Sequence, residues 1–276
     1  MAKEKEYILG TDEAELTRLA LQHRIWADAA VGAWMRAGVL PGSRVLDLGC
    51  GPGHATFDLA NLVTSSGLVL GVDESERFTS YLNQQATLRN IPQVKSEIAD
   101  AENLTATLKE KSFDVVYTRW VLCWLKNPKK AIEGVAKVLK PGGRFVIHDY
   151  FNWKSMSPAP RSKAVDKMIS AAITSFAQGG GDIDIAARLP QMLSDAGFEL
   201  KHFDVHSRMA RGGGVDGTMA WLVTWWHQYA PKLVQMGHLT KEECAEALRD
   251  VDAVAANSNQ FFVCPPVFEF IAVRKV

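Results

Sequence analysis

The amino-acid sequence predicts an α/β fold built on a parallel sheet, and three observations carry that prediction. A short apolar strand at residues 45–48 runs into a turn with glycines at positions 49, 51 and 53. A second apolar run ends in Asp73, 20 residues after the third of these glycines. Strand-like and helix-like segments then alternate up to about residue 150, which is typical of parallel strands joined by right-handed crossovers.

The remaining elements can be read in chain order. Residues 11–37 predict one or two helices, for which Thr11 or Asp12 is a suitable N-cap. Pro41 and Gly42 break the chain before the first strand. Later apolar runs and turn residues predict strands at 113–118, 144–149, 198–206 and 268–273, and helices at 128–139, 161–177 and 189–196.

The glycine turn has the features of a loop that binds a cationic cofactor. Glycine allows positive φ and lets a ligand approach the main chain closely. Asp47 lies at the mouth of this loop, where a carboxylate repels a pyrophosphate and attracts an ammonium or a sulfonium. His54 occupies the last glycine position of the dinucleotide pattern G-x-G-x-x-G. Both features favour S-adenosylmethionine over NAD. Cys50, inside the loop, is interpreted as a small side chain that fits the turn.

Two further acidic positions follow the next two strands. Asp73, followed by Glu74, ends the second strand, where a carboxylate can accept hydrogen bonds from both ribose hydroxyls. Asp100, followed by Ala101, comes after the third strand and suits the adenine amino group. Ligands bind at the carboxyl ends of the strands in such sheets. These acids therefore predict one cofactor site.

Five stretches then resemble the motifs of a known family. They read VLDLGCGPG, GVDES, IADAENL, FDVVYTRWVLCWLKNP and VLKPGGRFVIHDY, in this order between about residues 40 and 150. Their order and spacing resemble those of class I S-adenosylmethionine-dependent methyltransferases. The helix at residues 16–22 resembles a bacterial small-molecule (methyltransferase type 11/25-like) subgroup. The resemblance implies a Rossmann-like, seven-stranded class I methyltransferase sheet with an antiparallel last strand. It also implies S-adenosylmethionine as cofactor and methyl transfer as activity.

The resemblance also implies roles for further residues. The end of the fourth strand faces the methionine part of the cofactor in this family, so Thr118 and Arg119 are expected there, and Arg119 is expected to pair with a carboxylate. Gln22 and Tyr7 are expected to close over the cofactor from the N-terminal helix. The predicted cofactor-binding residues are Gln22, Asp47, Gly49, Cys50, Gly51, Gly53, Asp73, Glu74, Asp100, Ala101, Thr118 and Arg119.

We expect one elaborated domain, because 276 residues suffice for a single large core. Two stretches interrupt the regular pattern and are flanked by glycine runs at 179–181 and 212–214, which could act as hinges. Such insertions predict a helical lid over the carboxyl edge, where substrate selection usually resides. The predicted parts of the single domain 1–276 are an N-terminal helical cap at 1–38, a cofactor-binding core at 40–150, and lid or substrate insertions at 151–188 and 215–258.

Two interpretations of the tryptophans remain open. Trp225 and Trp226, with Trp221, share one predicted helix and could simply pack in the core. Alternatively some of them line an aromatic substrate pocket together with Trp120 and Trp124, which follow the fourth strand. The second interpretation predicts an aromatic or polyketide-like small-molecule substrate. The methylated atom, whether O, N or C, is not specified.

Candidate general bases are His148 and Asp149 at the end of the fifth strand, and His23 and Tyr7 near the N-terminus. A histidine with a pKa near neutrality suits general-base catalysis. A structural role for His148 in the protein framework is the alternative. The other histidines share no metal-ligand spacing, and the four cysteines form no C-x-x-C pair, so we predict no metal.

Charge and composition set the remaining expectations. The chain has 31 basic and 31 acidic residues, so its charge gives no case for nucleic-acid binding. No signal peptide opens it and no stretch approaches a membrane span, which predicts a cytoplasmic location without a membrane partner. A homo-oligomer is compatible with the sequence. Two other functions stay open: binding of S-adenosylmethionine without methyl transfer, and NAD-dependent oxidoreduction.

Overall fold

A seven-stranded sheet forms the centre of the fold. The structure is a computed structural model, and it describes residues 13–214 and 217–276. The strands of this sheet are β1 Arg44–Leu48, β2 Leu68–Asp73, β3 Val94–Ile98, β4 Phe113–Arg119, β5 Leu139–Tyr150, β7 Phe198–His206 and β10 Val267–Arg274. A second, three-stranded sheet contains β6 Ser157–Ala159, β8 Met209–Arg211 and β9 Phe261–Val263.

The topology confirms the predicted Rossmann-like class I methyltransferase sheet. The strand order is β3-β2-β1-β4-β5-β10-β7. Strands β1 to β5 pair in parallel, whereas β10 lies antiparallel to both β5 and β7. Because the first strands are all parallel, their carboxyl ends meet at one edge of the sheet.

Helices cover both faces of this sheet. They are α1 Glu13–Arg36, α2 His54–Val63, α3 Glu76–Leu88, α4 Pro128–Val138, α5 Lys163–Gln178, α6 Leu189–Asp195, α7 Thr218–Gln235 and α8 Lys241–Ala256. Side chains alternate between the faces of a strand. Accordingly Val45 and Val115 pack with Trp34 of α1, while Leu46 and Val116 belong to the core on the opposite face. Within the part of the chain that the structure describes, no helix combines the length and apolarity needed to cross a bilayer.

The two insertions are joined by the small sheet, which the sequence pattern does not predict. Strand β6 of the first insertion pairs with β9, which follows the second insertion, and β9 also pairs with β8. Helix α5 packs against α7 and α8. The insertions therefore form one layer of structure.

The glycine runs that flank the insertions are tightly packed. A Cβ on Gly181 would lie 2.4 Å from the carbonyl oxygen of Cys123, and one on Gly212 would lie 2.1 Å from that of Asn257. The amide of Gly212 also donates to the carbonyl of Gln260 at 2.9 Å. Close backbone approach thus explains why glycine occupies these positions. Their proposed action as hinges stays a prediction.

Candidate active site

A cavity of about 1110 Å³ opens at the carboxyl edge of the sheet. One end is formed by α1 and by residues at the ends of β1 to β4, and the other by the two insertions. Most of the predicted site residues line it: Gln22, His23, Asp47, Gly49, Cys50, Gly51, Asp73, Glu74, Asp100, Ala101, Arg119, Trp120, Trp124 and Trp225. Tyr7 lies outside the described residues.

The glycine loop fixes the carboxylate of Asp73 at the cavity wall. The amide of Gly51 donates to Oδ2 of Asp73 at 2.9 Å, and the amide of Ser75 donates to Oδ1 at 2.9 Å. Burial raises the pKa of Asp73, while these backbone donors act in the opposite direction. Each carboxylate oxygen can accept a further hydrogen bond. The carboxylate of Asp73 is therefore held in place at the cavity wall, where its remaining lone pairs can accept from a ligand.

Steric fit explains two other residues of the loop. Gly49 has φ 71°, and a Cβ there would lie 2.2 Å from Cγ2 of Val121. Cys50 is buried, and its Sγ would lie 2.9 Å from a Cβ added to Gly71. Burial raises the pKa of the Cys50 thiol well above its ordinary value. Its protonated thiol fills the loop, in agreement with the interpretation as a small packing residue.

Two predicted cofactor contacts do not fit the structure. Gly53 has φ 90°, and a Cβ there would lie 2.3 Å from Cδ1 of Leu82, so this glycine lets α2 pack against α3. Thr118 is fully buried, and its hydroxyl donates to the carbonyl of Leu48 at 3.0 Å. Neither residue lines the cavity. Both belong to the framework behind the loop.

Opposite charges face each other near the end of β1. Asp47 is buried, its Oδ2 accepts a hydrogen bond from the hydroxyl of Thr56 at 2.6 Å, and burial raises its pKa to about 6. Arg119 also lines the cavity, and its positive charge acts to lower the pKa of Asp47. Its Nη1 is buried and has no hydrogen-bond partner among the described residues. An unpartnered buried guanidinium nitrogen is costly, and a ligand carboxylate would satisfy it.

His23 joins this group through both ring nitrogens. Its Nδ1 lies 2.9 Å from Nη2 of Arg119, and its Nε2 lies 2.9 Å from Oδ2 of Asp58. Because a guanidinium only donates, Nδ1 accepts and Nε2–H donates to Asp58. Burial lowers the pKa of His23, which keeps the ring neutral. To act as a base, His23 would first have to release Arg119.

Helix α1 brings Gln22 over the cavity. Its Oε1 accepts hydrogen bonds from Nη1 of Arg18 at 2.8 Å and from Nε1 of Trp221 at 3.0 Å. Arg18 is itself held by Glu15 through two short hydrogen bonds. Since the amide oxygen is engaged in this way, Gln22 presents its amide nitrogen, which is a donor, to a ligand.

Asp100 combines a capping role with a place in the cavity wall. It is the N-cap of the 3₁₀ helix Ala101–Ala106, and its Oδ1 accepts from the amide of Glu102 at 2.8 Å. Asp100 and Ala101 both line the cavity. One carboxylate oxygen therefore has a structural partner.

The structure does not support direct proton transfer by His148 or Asp149. His148 is 1% exposed, and its Nε2 lies 3.2 Å from Oε2 of Glu269. Asp149 is fully buried and accepts from the amides of Cys123 and Tyr150 at 3.2 and 3.0 Å. Neither side chain lines the cavity. Their strand ends at the ligand edge as predicted, but these side chains face the protein interior.

Aromatic rings form the far end of the cavity. The ring centroids of Trp124 and Phe176 lie 4.0 Å apart, and those of Trp225 and Tyr229 lie 4.9 Å apart. The ring of Trp153 lies 5.4 Å from that of Trp225. We call these five residues the aromatic chamber. Trp120 and Tyr150 stack at 5.5 Å beside it.

Of the tryptophans of α7, one lines the cavity and two pack in the core. Trp225 lines the cavity, as the pocket interpretation predicts. Trp226 is fully buried and does not line it, so its predicted substrate contact is wrong. Trp221 packs against Trp26 at 5.9 Å and also belongs to the core.

Several cavity residues were missed by the sequence analysis. Tyr117, Trp153, Phe176 and Tyr229 line the cavity but are not among the predicted site residues, although Tyr117 lies within the fourth of the motif stretches. The predicted lid segments contain all of these except Tyr117. Alternation along β4 could have identified Tyr117, because it shares a strand face with Arg119.

A comparison with known families identifies the chain. A family model described as a methyltransferase domain matches residues 40–211, more than half of its length. The chain belongs to the class I S-adenosylmethionine-dependent methyltransferase family. The matched segment includes every strand that borders the polar end of the cavity.

Part of this chain is similar in sequence to curated methyltransferases. The phosphoethanolamine N-methyltransferase 1 of Triticum aestivum is 33% identical over 157 residues, which cover 57% of this chain and 28% of the relative. The 2-phytyl-1,4-naphtoquinone methyltransferase of Nostoc sp. is 33% identical over 129 residues, which cover 47% of this chain and 55% of the relative. The chain thus spans only part of the length of these relatives.

Solved structures share its fold. The YcgJ protein from Bacillus subtilis has a TM-score of 0.61 at 18% identity, covering 90% of this chain and 99% of that one. A geranyl diphosphate methyltransferase in complex with GPP and sinefungin has a TM-score of 0.56 at 17% identity, covering 91% and 79%. At these identities the likeness concerns the fold alone.

Proposed function

We propose that this protein transfers the methyl group of S-adenosylmethionine to a flat, largely apolar small molecule. The observation that carries the proposal is one continuous cavity with two unlike ends. Fixed acids and an unpartnered arginine nitrogen lie at one end, and the aromatic chamber lies at the other. This arrangement suits a polar cofactor next to an apolar acceptor.

The polar end fits each part of S-adenosylmethionine. Asp73, with Glu74 beside it, would hold the ribose, and Asp100 with the amide of Ala101 would hold the adenine. Asp47 would attract the ammonium group, and Arg119 with the amide of Gln22 would bind the carboxylate. The glycine loop would let its backbone approach the ligand. Sinefungin, an S-adenosylmethionine analogue, is bound by the geranyl diphosphate methyltransferase of the same fold, which supports the proposal.

The residues of this chain would mainly position the reactants and exclude water. When bound, S-adenosylmethionine supplies an activated methyl group together with its leaving group. Alignment of the acceptor atom with that methyl group can lower the activation free energy of the transfer substantially. The rings of Trp124 and Trp225 would orient a flat acceptor by stacking. The walls supplied by α1 and the insertions would keep solvent from the reacting atoms.

The substrate class rests on the lining of the chamber. Its ring faces offer a large apolar area, and the hydroxyl of Tyr229 already bonds to Oγ of Ser175 at 2.8 Å. Aromatic or polyketide-like acceptors fit such a lining better than charged ones. The two curated relatives carry the names of a phosphoethanolamine and a naphthoquinone methyltransferase, so small molecules of both polarities belong in the test.

Two experiments test the proposal. Isothermal titration with S-adenosylmethionine, S-adenosylhomocysteine and NAD should show binding of the first two only, and tight NAD binding would contradict the family-based cofactor. Transfer of a labelled methyl group to a panel of phenols, naphthoquinols, indoles and phosphoethanolamine should then favour the flat acceptors. Cofactor binding without transfer to any compound of the panel would support a binding protein instead.

A further inference from the structure

A chain of hydrogen bonds runs from the cavity wall into the protein interior. Tyr117 is one of the residues that line the cavity and is 1% exposed, and its hydroxyl lies 3.3 Å from Nδ1 of His148. Nε2 of His148 lies 3.2 Å from Oε2 of Glu269, and Nε2 of His206 lies 2.8 Å from the same oxygen. Arg36 donates to both oxygens of this carboxylate at 2.8 Å.

The charges fix the direction of every bond in this chain. Burial raises the pKa of Glu269, but hydrogen bonds from His148, His206 and Arg36 lower it to about 2, so the carboxylate is ionised and only accepts. Nε2 of His148 therefore carries a proton. Burial lowers the pKa of His148, and its neutral ring leaves Nδ1 without a proton. It follows that the hydroxyl of Tyr117 donates to Nδ1.

A metal ion is a weaker explanation for the same residues. His148, His206 and Glu269 offer three ligand atoms within 4.8 Å of one another in the part of the chain that was searched. The guanidinium of Arg36 contacts both carboxylate oxygens and would repel a cation there. The hydrogen bonds already account for the arrangement.

We propose that Tyr117 binds the ammonium group of the cofactor's methionine part, through a hydroxyl whose direction is set by His148 and Glu269. Tyr117 pairs with Asp47 across β4 and β1, so the two side chains share a face of the sheet, and both line the cavity. Because the proton of the hydroxyl points to His148, its oxygen offers a lone pair to a donor. An ammonium has three donors, and Asp47 alone does not satisfy them.

This inference rests on the proposed function and deepens it. Asp47 would supply the charge that attracts the ammonium, and Tyr117 would supply a second, neutral acceptor with a fixed orientation. His148 and Glu269 would act as positioning residues through Tyr117. This gives the buried histidine a role in ligand binding without contact with substrate.

Titration of Tyr117→Phe with two ligands tests the contact. S-adenosylhomocysteine carries the amino-acid group, and 5′-methylthioadenosine lacks it. The substitution should weaken binding of the first about 10-fold or more and change binding of the second less than about 2-fold. Tyr81→Phe, a substitution outside the cavity wall, should affect neither. Unchanged binding of S-adenosylhomocysteine, or equal losses for both ligands, would overturn the assignment. If the unaltered protein binds neither ligand, the proposed function itself fails.

A measurement on the unaltered protein covers the case that Tyr117→Phe does not fold. Long-range ¹H–¹⁵N correlation spectra should show His148 with a proton on Nε2 and none on Nδ1. The reverse tautomer would turn the hydroxyl proton of Tyr117 toward the cavity and would overturn the proposal. A joint shift of the His148 and His206 signals on addition of one equivalent of Zn²⁺ would also overturn it, in favour of a metal site.

Discussion

The two ends of the cavity are built in different ways. At the polar end, hydrogen bonds from backbone amides hold the side chains in place. The amides of Gly51 and Ser75, for example, donate to the carboxylate of Asp73. At the aromatic end, Trp225 and its neighbours are held by ring packing between segments far apart in the chain. The position of the polar groups thus depends on the backbone of the sheet and its loops. The shape of the aromatic end depends on which side chains the insertions bring together, so substitutions can change it without disturbing the sheet.

The largest expected effect concerns the polar end. Asp73→Ala would remove the two hydrogen bonds that we propose to the ribose, each worth roughly 1.5–3 kcal/mol, so affinity for S-adenosylhomocysteine should fall about 10²- to 10⁴-fold. Isothermal titration measures the loss. Asp195→Ala, an exposed change on α6, is the control. Unchanged affinity would show that Asp73 only supports the loop.

A neighbouring pair of tryptophans tests the aromatic end. Trp226 is fully buried, so Trp226→Ala should lower the free energy of unfolding by about 3–5 kcal/mol. Trp225 borders the cavity and is partly exposed, so Trp225→Ala should cost less stability and should raise KM for the best acceptor of the panel. Urea unfolding and steady-state kinetics give the two numbers. Equal stability losses, with no change in KM, would remove Trp225 from the proposed substrate site.

The buried carboxylate of Asp47, at the polar end, should make the free energy of unfolding depend on pH. Burial raises the pKa of Asp47 from 3.8 to about 6, so its ionised form destabilises the fold. That cost is absent below about pH 4 and reaches about 3 kcal/mol above about pH 6. Without cofactor, Asp47→Asn should therefore be more stable than the unaltered protein at pH 8 and equal to it at pH 4.

Urea unfolding at both pH values checks this expectation, with Asp195→Asn as the exposed control. If Asp47 attracts the ligand ammonium as we propose, the variant should also bind S-adenosylhomocysteine more weakly, because the counter-charge of the ammonium is removed. A variant that is less stable at pH 8 would show that the carboxylate of Asp47 is compensated within the protein.

The smallest effect is expected at Asp100. Asn is nearly as good an N-cap as Asp, so Asp100→Asn should change the free energy of unfolding by less than about 0.5 kcal/mol. It should still weaken S-adenosylhomocysteine binding by about 1 kcal/mol, because the oxygen that we propose as acceptor for the adenine amino group would be replaced by a donor. Parallel losses of stability and affinity would make Asp100 a cap alone.

Sequence patterns identify the polar end well because its acidic residues lie at or next to the ends of strands. The acids at 47, 73 and 100 come at three successive strand ends, and the topology brings such ends together. Thr118 was assigned to the cofactor by its place in a motif, although alternation along β4 turns it away from the face of Arg119. Period-two reasoning would have corrected that prediction.

The aromatic chamber and the chain of hydrogen bonds from Tyr117 to Glu269 could not be predicted in the same way. Trp225 and Trp226 are adjacent in α7, and only the orientation of that helix decides which one borders the cavity. Glu269 meets His148 across 121 positions of sequence, through the antiparallel pairing of β10 with β5. No local pattern encodes such a contact, because it depends on the register between distant strands.

The small sheet of β6, β9 and β8 has a mechanical consequence. It ties the first insertion to the segment that follows the second, and α5 packs on α7 and α8 beneath it. A displacement that kept both these backbone hydrogen bonds and the packing of α5 on α7 and α8 would carry the two insertions together. The cavity then cannot be opened by two independent flaps. For the methyl transfer that we propose, admission of the acceptor and release of the product would then be one coupled movement, which would displace together all the rings that the insertions contribute to the chamber.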